Sequence, residues 1–354
     1  MSDGSMITKR SCSFLIASLS FAALAGCSGS DPAPANAETP LLITSTTPAG
    51  FPKGTNKDQA PADNALTEDR ALLGKRLFYD PQLSRTNDVS CATCHQQAYA
   101  FSDPGAVSTG VDGRTGTRNA PSIANAAWGR SFFWDGRAHT LEEQAGQPIE
   151  NPVEMDSSVS DAVAKVAADP SYVETFEKAY GEPPNADSLQ KALASFVRSL
   201  VSGNSPYDRH LRGDDTDFGP QRQRGEALFL SEKCECYHCH PGGQLSNEGY
   251  FNDGTYTVGG DTGRQQVSGR VGDIGKFKVP GLRNVAVSAP YMHDGSVPTL
   301  EAVIEQYDQG GRGDPTTDPL IKPMSLTSDE KADLLEFLNS FTDPSLLEDA
   351  RFAP

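Results

Sequence analysis

Apolar side chains recur at intervals of three and four in several stretches of this chain, the period of a helix buried on one face. Thr67 to Tyr79 predicts one helix, with Gly74-Lys75-Arg76-Leu77-Phe78 inside it. Asp187 is placed to cap a second, in which Leu189, Leu193, Phe196, Val197 and Leu200 share a face before Gly203 stops it. A third begins at Thr299 and presents Leu300, Val303, Ile304 and Tyr307 at i, i+3, i+4 and i+7, so Tyr307 falls on its buried side. Thr327 or Ser328 can cap a fourth, with Leu334, Leu338 and Phe341 at helical spacing and an end at Asp343-Pro344. Gly242 to Gly281 breaks the pattern: dense in Gly, Asp, Asn and Thr, it predicts a long loop with short strands at most, and loops of that length are often functional.

The pattern repeats. Gly225-Glu226-Ala227-Leu228-Phe229 restates the G-x-x-L-F of the first helix, and Arg118-Asn119 is echoed by Arg283-Asn284. Asp135-Gly136 followed by Thr140-Leu141-Glu142 returns with identical spacing as Asp294-Gly295 followed by Thr299-Leu300-Glu301.

Each copy carries a C-x-x-C-H motif, Cys91-Ala92-Thr93-Cys94-His95 and Cys236-Tyr237-His238-Cys239-His240. Two thiols three residues apart can add across the two vinyl groups of one porphyrin, and the following histidine then ligates the iron. A zinc ribbon would share four ligands around one metal, and a disulfide framework needs no histidine after each pair. Two covalently bound haems c are therefore expected. The fold class that follows is mainly α, with two c-type cytochrome domains related by the internal repeat and long loops between helices. The expected boundaries are 65–213 for the first haem domain, 214–345 for the second and 346–354 for a tail.

The amino terminus predicts export. Lys9 and Arg10 precede an apolar run from Phe14 to Ala25, too short to span a bilayer, so residues 1–26 read as a signal peptide. Leu24-Ala25-Gly26-Cys27 has the form of a lipoprotein cleavage site, which would put lipid on Cys27; the alternative is an ordinary signal cut further on. Residues 27–64, rich in Pro, Ala, Thr, Ser and Gly, then read as a flexible tether, and contact with a membrane is expected only through the lipid. The net charge of -17, which loss of the leader makes one unit more negative, argues against nucleic acid as a partner. Cys12 leaves with the signal, which leaves Cys234 with no assignment.

The two copies differ at one position. Counting from Asp294 to Tyr307, and equally far from Asp135, reaches Pro148, which can neither ligate iron nor donate a hydrogen bond. A Tyr307 phenolate can thus close the second haem while the first keeps an open face. Of the six histidines, none lies between His95 and His139, so the loop after the first motif brings no imidazole to that iron. His293 is expected as a buried hydrogen-bonding residue, with a direct metal role as the alternative, and His139, His210 and His238 at the surface or in packing. Met155, Met292 and Met324 are possible haem ligands or core fillers.

The phrases Phe133-Trp134-Asp135-Gly136-Arg137, Gln144 with Pro148 and Glu154, Val279-Pro280-Gly281-Leu282-Arg283-Asn284, and Ala289-Pro290-Tyr291-Met292-His293-Asp294-Gly295 together resemble the bacterial dihaem cytochrome c peroxidase superfamily, in its MauG-like branch, from about Leu66 to Thr342. The resemblance implies that hydrogen peroxide reacts at the first haem, in a distal pocket lined by Gln144, Pro148 and Glu154. It implies that the second haem stores or relays electrons, that Trp134 lies between the two, and that calcium binds Asn119 with the backbone of Ser288 and Pro290. Tyrosine at 307, where the classical members of that superfamily have methionine, is a hard donor that favours oxidised iron. Three functions remain open: a periplasmic peroxidase fed by a small cytochrome c or cupredoxin, a MauG-like oxidation of Trp or Tyr side chains on an exported partner protein, and a dihaem electron carrier. The third fits least well, because a carrier gains nothing from an open iron beside an acid.

Overall fold

Helices form where an apolar face and a capping residue coincide. In the computed structural model, which describes residue 43 and residues 47–354, the first half carries α1 (Glu68–Tyr79), α2 (Cys91–Cys94), α3 (Leu141–Glu150), α4 (Val159–Ala167), α5 (Pro170–Tyr180), α6 (Ala186–Ser199) and α7 (Pro206–Leu211). The second half carries α8 (Pro220–Phe229), α9 (Cys236–Cys239), α10 (Gln265–Ser268), α11 (Leu300–Asp308), α12 (Ser328–Asn339) and α13 (Pro344–Leu347). The signal peptide and the Cys27 lipid site lie outside the described residues. Among those described, no helix is long and apolar enough to cross a membrane.

Thr67, Thr140, Thr299 and Thr327 each accept a backbone N–H of the first turn of α1, α3, α11 and α12, as Ncap residues do. The cap of α6 differs from expectation. Asn185 accepts from the Ser188 N–H and Ser188 reciprocates, a box that leaves Asp187 inside the first turn, paired with Lys191 at 2.6 Å. That helix ends at Ser199, before Gly203, and α12 ends at Asn339, because Asp343 is used to cap α13.

The repeat is built into the helix crossings. α1 packs on α6 and α8 on α12, each pair meeting at a glycine. A Cβ on Gly74 would lie 1.9 Å from the Ala192 carbonyl oxygen, and one on Gly225 2.1 Å from that of Asp333. Further along, Asn125, Phe133 and Gly136 at φ of 58°, 66° and 68° correspond to Asn284, Met292 and Gly295 at 59°, 72° and 65°. The bridges Phe132 to Ala138 and Tyr291 to Val297 match in the same register. The counterpart of Asn284 is therefore Asn125 and not Asn119. Each takes the left-handed conformation that asparagine tolerates and starts a short 3-10 turn, a backbone likeness that matching Arg-Asn pairs in the sequence misses.

Each half has its own apolar core, one around Leu77, Phe101, Phe176 and Phe196, the other around Phe218, Phe229, Phe337 and Phe341. Two flanking segments expected to be loose belong to the body. Residues 47–64 do not behave as a tether: Phe51 packs on Trp128 with ring centroids 4.7 Å apart, and the buried Asn56 and Asn64 side chains donate to the carbonyls of Arg198 and Lys191. The 346–354 segment is not a free tail either, since Leu346 and Phe352 enter the first core and Tyr79 donates to the Phe352 carbonyl.

The 242–281 loop contains β1 (Tyr250–Phe251) paired antiparallel with β2 (Phe277–Lys278). It clamps the first half's Ser131–Gly136 turn. Arg264 donates to the carbonyls of Asp135 and Gly136, Lys278 donates to that of Ser131, and the half-buried Arg118 bridges Asp135 and Asp261, each at 2.6 Å.

Candidate functional site

Both C-x-x-C-H motifs fold as a single helical turn that closes on its histidine. The His95 N–H donates to Cys91 and that of His240 to Cys236, both at 2.9 Å. This places the two thiols of each motif on one turn and swings each imidazole under it. Nδ1 of His95 lies 2.8 Å from the Phe101 carbonyl, and Nδ1 of His240 2.9 Å from that of Leu245. Phe101 and Leu245 are themselves held at φ of 59° and 52°, a strained backbone shared by both halves that aims the carbonyl at the ring. With Nδ1 committed as donor, Nε2 is the free lone pair, the second-sphere arrangement of metal-ligating histidines. Burial lowers the pKa of both rings, that of His240 to about 4, which favours the neutral imidazole that iron ligation requires. Cys91, Cys94, Cys236 and Cys239 are unpaired, and burial keeps them protonated, Cys91 and Cys236 at about 12.

One cavity of about 680 Å³ has His95 and His240 in its wall. Its volume, its apolar lining and the two ready donor sets fit covalently held haem. These are the only histidines in that wall among the described residues. On the first-half side, Leu141 and Gln144 one turn along α3, then Pro148, point into it, followed by Glu154 from the loop after the helix. Pro148 has no N–H, so the Gln144 carbonyl has no helical partner at i+4. Burial raises the pKa of Glu154; the Asn151 amide, donating at 2.5 Å, and Arg137 pull it back. The sequence reading missed Asn151, whose only signal is an Asx turn back to Val153.

On the second-half side Tyr307 lines the cavity with Leu300, Val303 and Ile304, as its helical spacing predicts. Burial, then the Asp253 carboxylate, pushes its phenol well above the ordinary value. Only a cation at the ring oxygen would hold it as phenolate. Met292 and Met324 also reach the wall, whereas Met155 is buried in the first core. Cys234 is a buried free thiol that lines the cavity close to Cys236.

Trp134 sits at the seam of the halves. Its Nε1 donates to the Asn119 carbonyl at 2.8 Å, and its own carbonyl accepts from Lys278 of the second half. The Asn119 amide nitrogen donates to the carbonyls of Gly105 and Ala106, which leaves Oδ1 as an acceptor, and Ser288 and Pro290 lie in the same cavity wall. No cluster of three or more His, Cys, Asp or Glu suited to a metal occurs among the described residues, so a cation here would need amide and carbonyl oxygens. His293 is buried, as expected, but it is stacked on Phe277 at 3.6 Å and its Nδ1 has no hydrogen-bond partner. His210 stacks on Phe218 between Asp215 and Glu226, and His139 and His238 are exposed.

Two covalent haem sites opening on one cavity between repeated helical halves define a dihaem c-type cytochrome. Residues 68–216 match the family model of di-haem cytochrome c peroxidase, and residues 277–309 match a RoxA-like, cytochrome c-like model. The chain is 39% identical to the methylamine utilization protein MauG of Methylorubrum extorquens, over 79% of this chain and 80% of that one. It is 36% identical to the cytochrome c551 peroxidase of Pseudomonas aeruginosa, over 68% and 71%. A crystal structure of a MauG-like protein associated with microbial copper homeostasis superposes with a TM-score of 0.82 at 36% identity, covering 88% of this chain and 99% of that one. The protein belongs to the di-haem cytochrome c peroxidase family, and it is a peroxidase-type oxidoreductase with two c-type haems.

Proposed function

We propose that this protein reduces hydrogen peroxide at the first haem site, held by Cys91, Cys94 and His95, with electrons that arrive through the second, held by Cys236, Cys239, His240 and Tyr307. The observation that carries this reading is the wall formed by Gln144, Pro148 and Glu154, where Glu154 is the only carboxylate that the first half contributes among the described residues. Bound haem supplies the iron that accepts the peroxide and the electrons that cleave its O–O bond. Glu154 takes the proton from the inner oxygen and returns it to the outer one, which leaves as water. Asn151 holds the Glu154 carboxylate in place, Gln144 orients the peroxide, and Pro148 offers neither a ligand nor a donor. Trp134, hydrogen-bonded to one half through Asn119 and to the other through Lys278, is the relay between the sites. A calcium ion on Asn119 Oδ1 with Ser288 and Pro290 would stiffen the same seam.

The donor in this reading is a small cytochrome c or cupredoxin in the periplasm, to which an exported chain anchored through Cys27 would have access. A second reading, MauG-like oxidation of a Trp or Tyr side chain on a partner protein, is favoured by Tyr307 in the second-half wall. Stopped-flow absorbance of the diferric protein with one equivalent of peroxide and no reductant separates them. An oxidised species that a reduced cytochrome rapidly returns to the diferric state supports the peroxidase, and one that persists for minutes and is not rapidly reduced by the cytochrome supports protein oxidation. No reaction before half-reduction refutes the open first site.

A further inference from the structure

The relay through Trp134 ends at the second haem site, and neither tryptophan of the chain offers a way from there to solvent: Trp134 is at the seam and Trp128 is buried against Phe51. A tyrosine can carry an electron to a partner only if its phenolic proton leaves at the same time, because the oxidised phenol is a very strong acid. It therefore needs a base already within hydrogen-bond reach. Most of the described tyrosines lack one. Tyr79 and Tyr291 donate to backbone carbonyls, Tyr180 to an Asn64 side chain, and Tyr250 pairs with the Ser131 hydroxyl. Two donate to carboxylates. Tyr172 meets Asp80, but it is fully buried on α5, in the half away from the second haem site. The other is Tyr237, whose hydroxyl lies 2.7 Å from Oε1 of the exposed Glu232.

Tyr237 also lies next to the second haem site in the chain. It stands between Cys236 and Cys239 on α9, inside the attachment turn, with its ring packed against the second core and only half-buried. We propose that Tyr237 is a redox-active side chain through which the second haem site exchanges electrons with a partner protein, its phenolic proton passing to Glu232. The proposal rests on the peroxidase reading above. Tyr237 gives one electron to the peroxide-oxidised protein and one proton to Glu232, and becomes a neutral phenoxyl radical. A one-electron donor protein reduces that radical and Glu232 returns the proton. Two such cycles supply the two electrons that, with two protons, convert one peroxide to two waters. Glu232 also keeps the resting phenol protonated, since its carboxylate raises the pKa of Tyr237.

The test is freeze-quench electron paramagnetic resonance of the holoprotein mixed with one equivalent of hydrogen peroxide, followed in parallel by haem absorbance. A neutral tyrosyl radical is expected in the wild type and in Tyr172→Phe, and it should be lost in Tyr237→Phe while the haem absorbance change remains. Glu232→Gln should delay and weaken the signal. A radical that survives Tyr237→Phe, or no organic radical in the wild type, overturns the proposal, and an unchanged signal in Glu232→Gln overturns the role of that carboxylate. If peroxide leaves the haem absorbance unaltered, the peroxidase reading itself has failed, an outcome distinct from loss of the radical alone.

Discussion

Replacing Glu154 with glutamine removes a base and little else. The two side chains have nearly the same shape, and the glutamine carbonyl can still accept the Asn151 amide that lies 2.5 Å from Glu154 Oε1. What is lost is the ability to take and return a proton. General acid–base catalysis by one placed group is worth about 10²–10⁴ in rate, or about 3–5 kcal/mol of barrier. The structure points to the upper part of that range. Among the described residues no other carboxylate of the first half lines the cavity and no histidine other than His95 and His240 does, so the first half offers no second base, although Glu235, Glu248, Asp253 and Asp318 of the second half line the same cavity. The second-order rate constant for peroxide reacting with the diferric protein should therefore fall by about 10³–10⁴ in Glu154→Gln, measured by stopped flow on samples matched for haem content. A rate within about tenfold of the wild type would show that the proton moves by another route and would refute this role for Glu154.

Other consequences can be measured independently. Tyr307→Met exchanges a hard oxygen donor for a thioether and should raise the potential of one haem in a redox titration while suppressing the reaction of the diferric protein with peroxide; an unshifted potential would remove Tyr307 from the iron. Asp208 and Arg283 form a buried pair through two hydrogen bonds of 2.7 Å, so Asp208→Asn, which strands the guanidinium, should cost about 3–5 kcal/mol in denaturant unfolding. Burial alone would raise the pKa of Asp208, but Arg283 and Ser205 hold it below the ordinary range. The stabilisation is thus complete above the unfolded value of about 3.9 and disappears as pH falls through the lower folded one, and the gap between wild type and variant should close in acid. Gly74→Ala and Gly225→Ala should each destabilise by about 1–3 kcal/mol or more, because the new methyl meets a backbone carbonyl that cannot move aside, an effect larger than the ~1 kcal/mol gained in helix propensity; a raised melting temperature in either would contradict the crossing geometry.

The haem chemistry was legible because its signals are short-range. C-x-x-C-H needs one helical turn, and Tyr307 shares a face with Leu300, Val303 and Ile304 through the helical period alone, so spacing was enough to place these residues. The starts of α1 at Thr67, of α11 at Thr299 and of α12 at Thr327 or Ser328 were readable for the same reason, and the two-residue error at α6 arose where Asn185 and Asp187 are both acceptable caps.

The tertiary structure decided what depends on distant partners. Polar composition made 47–64 look like a tether and 346–354 like a tail, yet a few anchors, Phe51, Asn56, Asn64 and Phe352, find burial and hydrogen bonds on segments far away in the chain. His293 was expected to be hydrogen-bonded, but it is stacked on Phe277 and its Nδ1 has no hydrogen-bond partner. The sequence by itself determined the two attachment turns, the helical periods and the difference between Pro148 and Tyr307. The packed fold alone determined that Glu154 and Tyr307 face one cavity and that Glu232 sits on Tyr237, because local spacing sets the direction of a side chain along its own helix, whereas burial and pairing depend on surfaces contributed by the rest of the chain.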